Sequence, residues 1–350
     1  MHRGYLALAL LCSGSAAAAA GAPAVIPAQT VTFKDWIVGC DNGLACQAVA
    51  LVPDNLPTDA LTLAVRRSVG SAGELAIEIA GFAPAVGGYR ILVDSRPVNS
   101  GTIAVGADAI RITGLDATKL ARAMARGRAF RLTDQSGAVI GQVSLSGATA
   151  ALRAIDSAQG RAGSRGAIVA MGRRATPAKR NTQVPLILAR RIQVSAMLPD
   201  TAALVALSES SPCAKERVGA TQDAAFSLGA TKALVLLNCG AGAYNASAGA
   251  YIGKRDDAGK WTFNPASFDY APNRLTGGSD TALLVDATWD SATQTISSFS
   301  KGRGIGDCGT SEDYVWDGAS FRLVKARVMD QCRGSTDWIP VWRAEVKFTG

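Results

Sequence analysis

From residue 61 onward the chain is built of short runs in which apolar and polar positions alternate, the period of a half-buried strand. "LTLAV" (61–65), "ELAIEI" (74–79) and "YRILVD" (89–94) each place their apolar side chains on one face. "TIAVGADAIRI" (102–112) reads as a hairpin turning near Gly106–Asp108, and "FRLTDQSGAVIGQVSL" (130–145) as a second turning at Asp134–Gly137. The period becomes helical twice in this half. Asp116 is placed to cap a helix over 117–125, with Leu120 and Met124 four apart. Ser146 precedes another that sets Ala148, Leu152 and Ile155 on one side.

Past Pro199 the same alternation resumes. Asp200 is placed to cap a short helix running to Leu207. Strands are expected over 233–239, 245–253, 261–268, 282–289 and 293–301. "DYVWDGASFRLV" (313–324) is a hairpin around Asp317-Gly318, flanked by Val315, Trp316, Phe321 and Leu323. "WIPVWRAEVKF" closes the chain as one strand near a sheet edge, because Pro340 cannot donate to a ladder. Strands follow strands without the intervening helices of a doubly wound fold. The pattern predicts an α+β fold, predominantly antiparallel β, made of two disulfide-stapled β-rich domains with a few short helices.

The first residues change the picture of where this happens. "MHRGYLALALLCSGSAAAAAGA" has a short basic start, an apolar run and an alanine-rich tail, the form of a secretory signal peptide over 1–22. Leu11 before Cys12 is too large for a lipid-anchoring cysteine. No later stretch is long and apolar enough to span a membrane. His2, the one histidine, departs with the leader. Ser-His-Asp and Cys-His catalysis, imidazole metal ligands and histidine pH switching are thereby excluded.

Six cysteines remain: Cys40, Cys46, Cys213, Cys239, Cys308 and Cys332. An even number in an exported chain predicts disulfides, and none of the spacings is the C-x2-C of a zinc site. If each half closes on itself, Cys40 pairs with Cys46. Three arrangements then stay open for the other four, of which the sequential one, Cys213–Cys239 and Cys308–Cys332, is the expectation.

The formal charge of +8 is unevenly spread. Residues 157–199 hold eight basic residues (Arg161, Arg165, Arg173, Arg174, Lys179, Arg180, Arg190 and Arg191) and no acidic one. The flanking regions are near neutral, which argues against a nucleic-acid partner. Rich in Gly, Ala and Pro, this stretch is expected to be a basic linker over 158–198 between domains at 30–157 and 199–350. A polybasic strap for an anionic envelope polymer is the sharper alternative.

The motifs that could carry chemistry fail one by one. "GIGDCG" (Gly304–Gly309) has the spacing of a dinucleotide loop, but a hairpin follows it where a helix should. No cofactor is expected, and the glycines are assigned to a turn around Cys308. Ser298-x-x-Lys301 lies at a strand end with no downstream K-T-G. Asn245-Ala246-Ser247 fits a glycosylation sequon, and Asp256-Asp257 before Gly259 reads as a turn. No metal site is expected. Asp307, Glu312, Asp313, Asp317, Asp330 and Asp337 crowd the final stretch, where Trp261, Trp289, Trp316, Trp338 and Trp342 also lie. A carboxylate pair among Asp307, Asp313 and Asp337 would permit glycan hydrolysis without histidine. Trp316, Trp338 and Trp342, if exposed, would stack on sugar rings. Those six residues form the candidate ligand surface.

"FKDWIVGCDNGLACQA" (33–48), "SPCAKERVGA" (211–220), "GIGDCGTSEDYVWDGASFRL" (304–323) and "DQCRGSTDWIPVWRAEV" (330–346) together resemble an exported proteobacterial family known only as a domain of unknown function. "KDWIVGC" and "VSLSGATAALRAID" (143–156) are also similar to the invasion-associated locus B proteins. These resemblances imply a secreted, disulfide-bearing protein and supply no catalytic residue. The resulting expectation is a non-catalytic protein, periplasmic or secreted, that binds a periplasmic protein or an anionic envelope polymer. The alternative is a histidine-free glycan hydrolase using the C-terminal carboxylates.

Overall fold

The computed structural model describes residues 25–53, 61–82, 88–98, 109–178, 184–193, 197–215, 223–275 and 280–350. The leader expected over 1–22 and the first arm of the hairpin at 102–112 lie outside them.

The N-terminal half runs β1 (Val31–Phe33), β2 (Trp36–Cys40), β3 (Cys46–Ala50), β4 (Thr62–Arg67), β5 (Leu75–Ala80), β6 (Tyr89–Val93), β7 (Arg96–Pro97), β8 (Ala109–Thr113), α1 (Gly114–Met124), β9 (Ala129–Asp134), β10 (Val139–Ser144) and α2 (Ala148–Ala158). They form an antiparallel sheet ordered β1-β2-β3-β4-β5-β8 and a smaller one ordered β10-β9-β6-β7. Helix α1 begins earlier than the sequence predicts, with Thr113 as its cap. Asp116 falls inside the first turn, where its charge still favours the helix N-terminus. The apolar side of α2, Leu152 and Ile155, packs with Val38, Ala48 and Leu63 into one core.

The C-terminal half adds β11 (Leu186–Arg190), α3 (Thr201–Ser210), β12 (Ala224–Ser227), β13 (Lys232–Ala241), β14 (Ala246–Arg255), β15 (Trp261–Pro265), β16 (Leu283–Val285), β17 (Thr288–Asp290), β18 (Thr295–Lys301), β19 (Gly309–Trp316), β20 (Phe321–Met329), β21 (Ile339–Arg343) and β22 (Glu345–Thr349). One antiparallel sheet is ordered β12-β13-β14-β15, with β16 also on β14; the other is ordered β17-β18-β19-β20-β21. Asp200 caps α3 by accepting from the Ala203 amide. The expected strand at 282–289 is broken at Asp286. That residue takes φ 43° and turns its carboxylate to the Ala246 amide, so β16 and β17 join different sheets. The final expected strand also divides: β21 is an edge of its sheet, and β22 pairs with β11 in parallel.

Strands β2, β3 and β4 are buried on both faces. Val38, Ala48 and Leu63 face the first core, while Ile37, Val49, Leu51 and Ala64 join a second with Ile339, Val341, Tyr314 and Trp316. Strand β21 packs across β2 and β3. The approach is close: a Cβ on Gly39 would lie 2.8 Å from Ile339. Polar contacts follow the same seam. Arg66 binds Asp337, Arg333 binds Asp35, and Arg343 binds Asp41.

The basic segment differs from an open spacer. The buried Asp156 accepts from the amides of Ile168, Val169 and Ala170, folding 161–170 back onto α2. Arg161 is itself buried and donates to Gln159 and to the Gly70 carbonyl. Further on, β11 is tied to the C-terminal strand. An uncompensated buried charge is costly. Here one carboxylate and several carbonyls hold residues that a charge count alone sends to solvent.

Candidate functional site

The three disulfides are Cys40–Cys46, Cys213–Cys239 and Cys308–Cys332, the last two being the sequential pairing. Cys40 and Cys46 face each other across β2 and β3. Cys308 fixes the "GIGDCG" turn, which leads directly into β19. Gly309 takes φ 136°, and a Cβ there would lie 1.9 Å from the Ser300 carbonyl oxygen. These glycines serve a cross-linked turn, with no helix beyond them to receive a phosphate.

The six residues of the candidate ligand surface are dispersed in function. Asp307 is buried in that turn, bound by the Arg303 guanidinium and the Gly334 amide. The Arg303 hydrogen bond holds its pKa below the usual carboxylate range, against the effect of burial. Trp338 stacks on Phe299 with ring centroids 4.6 Å apart and donates to the Gly306 carbonyl. Asp313 accepts from the Ser297 hydroxyl at 2.7 Å. Both carboxylate oxygens of Asp337 lie 2.8 Å from Arg66. Trp316 is a core residue, 3% exposed, against Phe321. Trp342 donates to the Leu323 carbonyl. Each acid is engaged by a different partner, and none of the six lines the pocket described next.

That pocket has Glu312 in its wall, which the sequence offered only as one acid in a crowd. Alternation along β19 puts Thr310, Glu312, Tyr314 and Trp316 on one face, the face that builds the second core. Glu312 thus occupies a position meant for an apolar side chain and is 2% exposed. Its cross-strand neighbours are small, Ser298 on β18 and Ala326 on β20, which leaves a hollow over the carboxylate. Residues 25–30 form the far wall. The Ala28 amide donates to the Val341 carbonyl at 3.0 Å, laying this segment along β21, and the Thr30 hydroxyl donates to Asp330. The cavity is about 580 Å³, lined by Val25, Pro27, Tyr270, Glu312, Val328 and Asp330, among others.

The electrostatics of Glu312 are unusual. Burial raises its pKa to about 7; Thr310 and Ser298 hydroxyls oppose this by donating to the carboxylate, and the Asp313 charge reinforces it. The Ser298 oxygen also accepts from the Val285 amide at 3.1 Å. Oε2 of Glu312 has no hydrogen-bond partner, and neither has the buried hydroxyl of Tyr314. Both Tyr314 and Tyr270 have raised pKa values, from burial first and then from Glu312. The result is a desolvated carboxyl group in the wall of a cavity large enough for a small molecule, with one oxygen buried and unpaired. Among the described residues no group of three His, Cys, Asp or Glu side chains is placed to hold a metal ion, and no helix is long and apolar enough to cross a membrane.

Residues 30–345 match the family described as "Protein of unknown function (DUF1176)". The chain belongs to this family. Like it in sequence is the "Uncharacterized protein YpfG" of Escherichia coli (strain K12), 27% identical over 359 residues, a match covering 90% of this chain and 93% of that one. In structure, the invasion associated protein b from Bartonella henselae is similar over 38% of this DUF1176 chain and 99% of its own, at 17% identity and a TM-score of 0.26.

Proposed function

We propose that the chain is a non-catalytic binding protein of the periplasm or the secreted fraction, made of an N-terminal module (30–157) and a C-terminal module (199–350), whose ligand enters the Glu312 pocket. One observation carries the reading: Glu312, 2% exposed and with one buried oxygen unpartnered, belongs to the wall of a cavity of about 580 Å³. Buried polar atoms in folded proteins are nearly always paired, so an unpaired one behind a cavity wall points to that cavity as the place a ligand would enter. Three disulfides support an oxidising compartment.

The test is native purification from the periplasmic fraction, followed by heat release and mass spectrometry of bound small molecules. A compound recovered with the wild-type protein and lost from Ala326→Leu, which fills the hollow, is the expected result. Recovery of the protein only from the cytoplasm, or an equal yield of the compound from both proteins, would refute it.

A second reading is favoured by the pKa of Glu312, which lies where a general acid works best. In that reading Glu312 protonates a glycan leaving group and Asp330, in the same pocket, is the second carboxylate. Release of reducing sugar from envelope glycan, abolished in both Glu312→Gln and Asp330→Asn, would establish it over binding alone.

A further inference from the structure

We propose that the chain pairs with a second copy of itself edge to edge, the outer edge of β11 running antiparallel to the same edge of its partner about a two-fold axis at Leu188. Nothing in this inference depends on the Glu312 pocket.

Strand β11 has β22 as its ladder partner, on one side. The bonds at its two ends fix which residues face which way. The Pro185 carbonyl accepts from the Glu345 amide, and the Arg191 amide donates to the Thr349 carbonyl. In a parallel ladder the amide and carbonyl of one residue point to the same side, and those of the next residue to the other. Odd-numbered residues of β11 therefore bond to β22, while Leu186, Leu188 and Arg190 direct their backbone groups away from it. Among the described residues nothing bonds those outward groups.

Open edges in folded proteins are usually blunted by lysine, proline, a bulge or a covering element, because they are templates for another chain. This one carries Leu186 and Leu188, 58% and 55% exposed. Its other face is held down by Ile187 and Ala189, which pack with Val315. The β19–β20 turn reaches the strand at its Arg190 end, where a Cβ on Gly318 would lie 4.0 Å from that of Arg190.

The edge is complementary to itself. In an antiparallel pair, two opposite residues exchange both bonds when the backbone groups of each face the other strand. An axis at Leu188 sets Leu188 against Leu188 and Leu186 against Arg190, so every outward residue meets an outward residue. Charge agrees. Glu345 and Arg190 stand at opposite ends of the exposed face, and neither has an ion-pair partner among the described residues. Glu345 lies beside Leu186 in the ladder. The axis brings Arg190 of one protomer to the far side of its partner's Leu186, two strand spacings from Glu345. That is a Cα separation of about 10 Å, which the two side chains span together. Two-fold symmetry repeats the ion pair at the other end. The two copies of Lys347 are kept three strand spacings apart, about 14 Å. An unrelated strand brings no such match of parity and charge.

The experiment is sedimentation equilibrium on the leaderless, disulfide-bonded protein, loaded from micromolar to near-millimolar concentration. The interface is small, so a weak, concentration-dependent monomer–dimer equilibrium is expected. Leu188→Pro removes an outward donor and no bond of the β11–β22 ladder, and Leu188→Lys puts a charge at the axis. Each should lower the association constant at least about tenfold. Arg190→Glu and Glu345→Arg should each weaken the dimer by a similar factor, and the double reversal should restore it. A monomer at every loading overturns the proposal, as does an assembly larger than a dimer. So does wild-type association in both Leu188 variants, or a double reversal no tighter than the single ones.

Discussion

Replacing Glu312 by glutamine is expected to make the protein more stable at neutral and alkaline pH. In the unfolded chain the carboxyl titrates at the ordinary value of 4.5, whereas in the folded protein it titrates at about 7. Between those values the native state holds a proton that the unfolded state has released, so stability falls as pH rises. The stabilising contribution of the protonated form is complete below pH 4.5, is lost through the interval and is gone above about pH 7. Each pKa unit is worth about 1.4 kcal/mol, so the full loss is about 3 kcal/mol. Glutamine has nearly the same shape and never ionises. Its carbonyl still accepts from Thr310 or Ser298, and the surrendered hydrogen bond costs on the order of 1 kcal/mol at every pH. Urea unfolding of both proteins from pH 4 to pH 9 gives the comparison. The curves should separate between pH 4.5 and 7 and run parallel above, with the variant higher by about 2 kcal/mol. Curves parallel across the whole range would mean that the carboxyl titrates alike in the folded and unfolded chain, and the account of a desolvated group would fail.

Removing the Cys308–Cys332 link by the double serine variant should cost about 3 kcal/mol in urea unfolding, from the loop the link closes; an unchanged midpoint would show that the turn holds without it. Trp316→Ala should lose about 3–5 kcal/mol, the cost of emptying a large core site, and leave ligand capture by the remaining folded protein unchanged; selective loss of binding at full stability would place Trp316 at a ligand instead. Asp307→Asn should destabilise by about 1.5–3 kcal/mol at pH 7, because the charged bonds to Arg303 and Gly334 are weakened. Since its folded pKa is depressed, that difference should shrink as pH falls through the acidic range; a gap that persists in acid counts against it.

Most strand positions were readable because alternation decides which face is buried. The "DG" at 317–318 marks the β19–β20 turn; Trp316 pairs with Phe321, so the loop spans 317–320, and within it Gly318 takes φ 104°. The breaks were not readable. Asp286 looks like any polar residue inside "ALLVDATW", and only partners distant in sequence, the Ala246 amide and the Lys301 ammonium, make its turned conformation worthwhile. The pairing of β11 with β22 was hidden for a similar reason: it joins distant segments, and one of them sits among arginines. Glu312 carried a signal that composition obscured. Counted with its acidic neighbours it resembles surface charge; placed by parity it shares a face with Tyr314 and Trp316, where an acid is out of character. Asp307, Asp313 and Asp337 drew attention by their density, yet each answers a nearby donor.

The outer surface of β2 and β3 has a consequence for how the chain is made. Ile37, Val49 and Leu51 share a core with β21, whose residues are synthesised almost last. Until then a growing polypeptide displays an oily sheet without that strand across it, the kind of surface that draws neighbours into aggregates. A chain cut short before β21 inherits that condition permanently. Completion of the first-made strands thus waits on the final tenth of the polypeptide, and a holdase that shields them during that delay would act where the wait is longest.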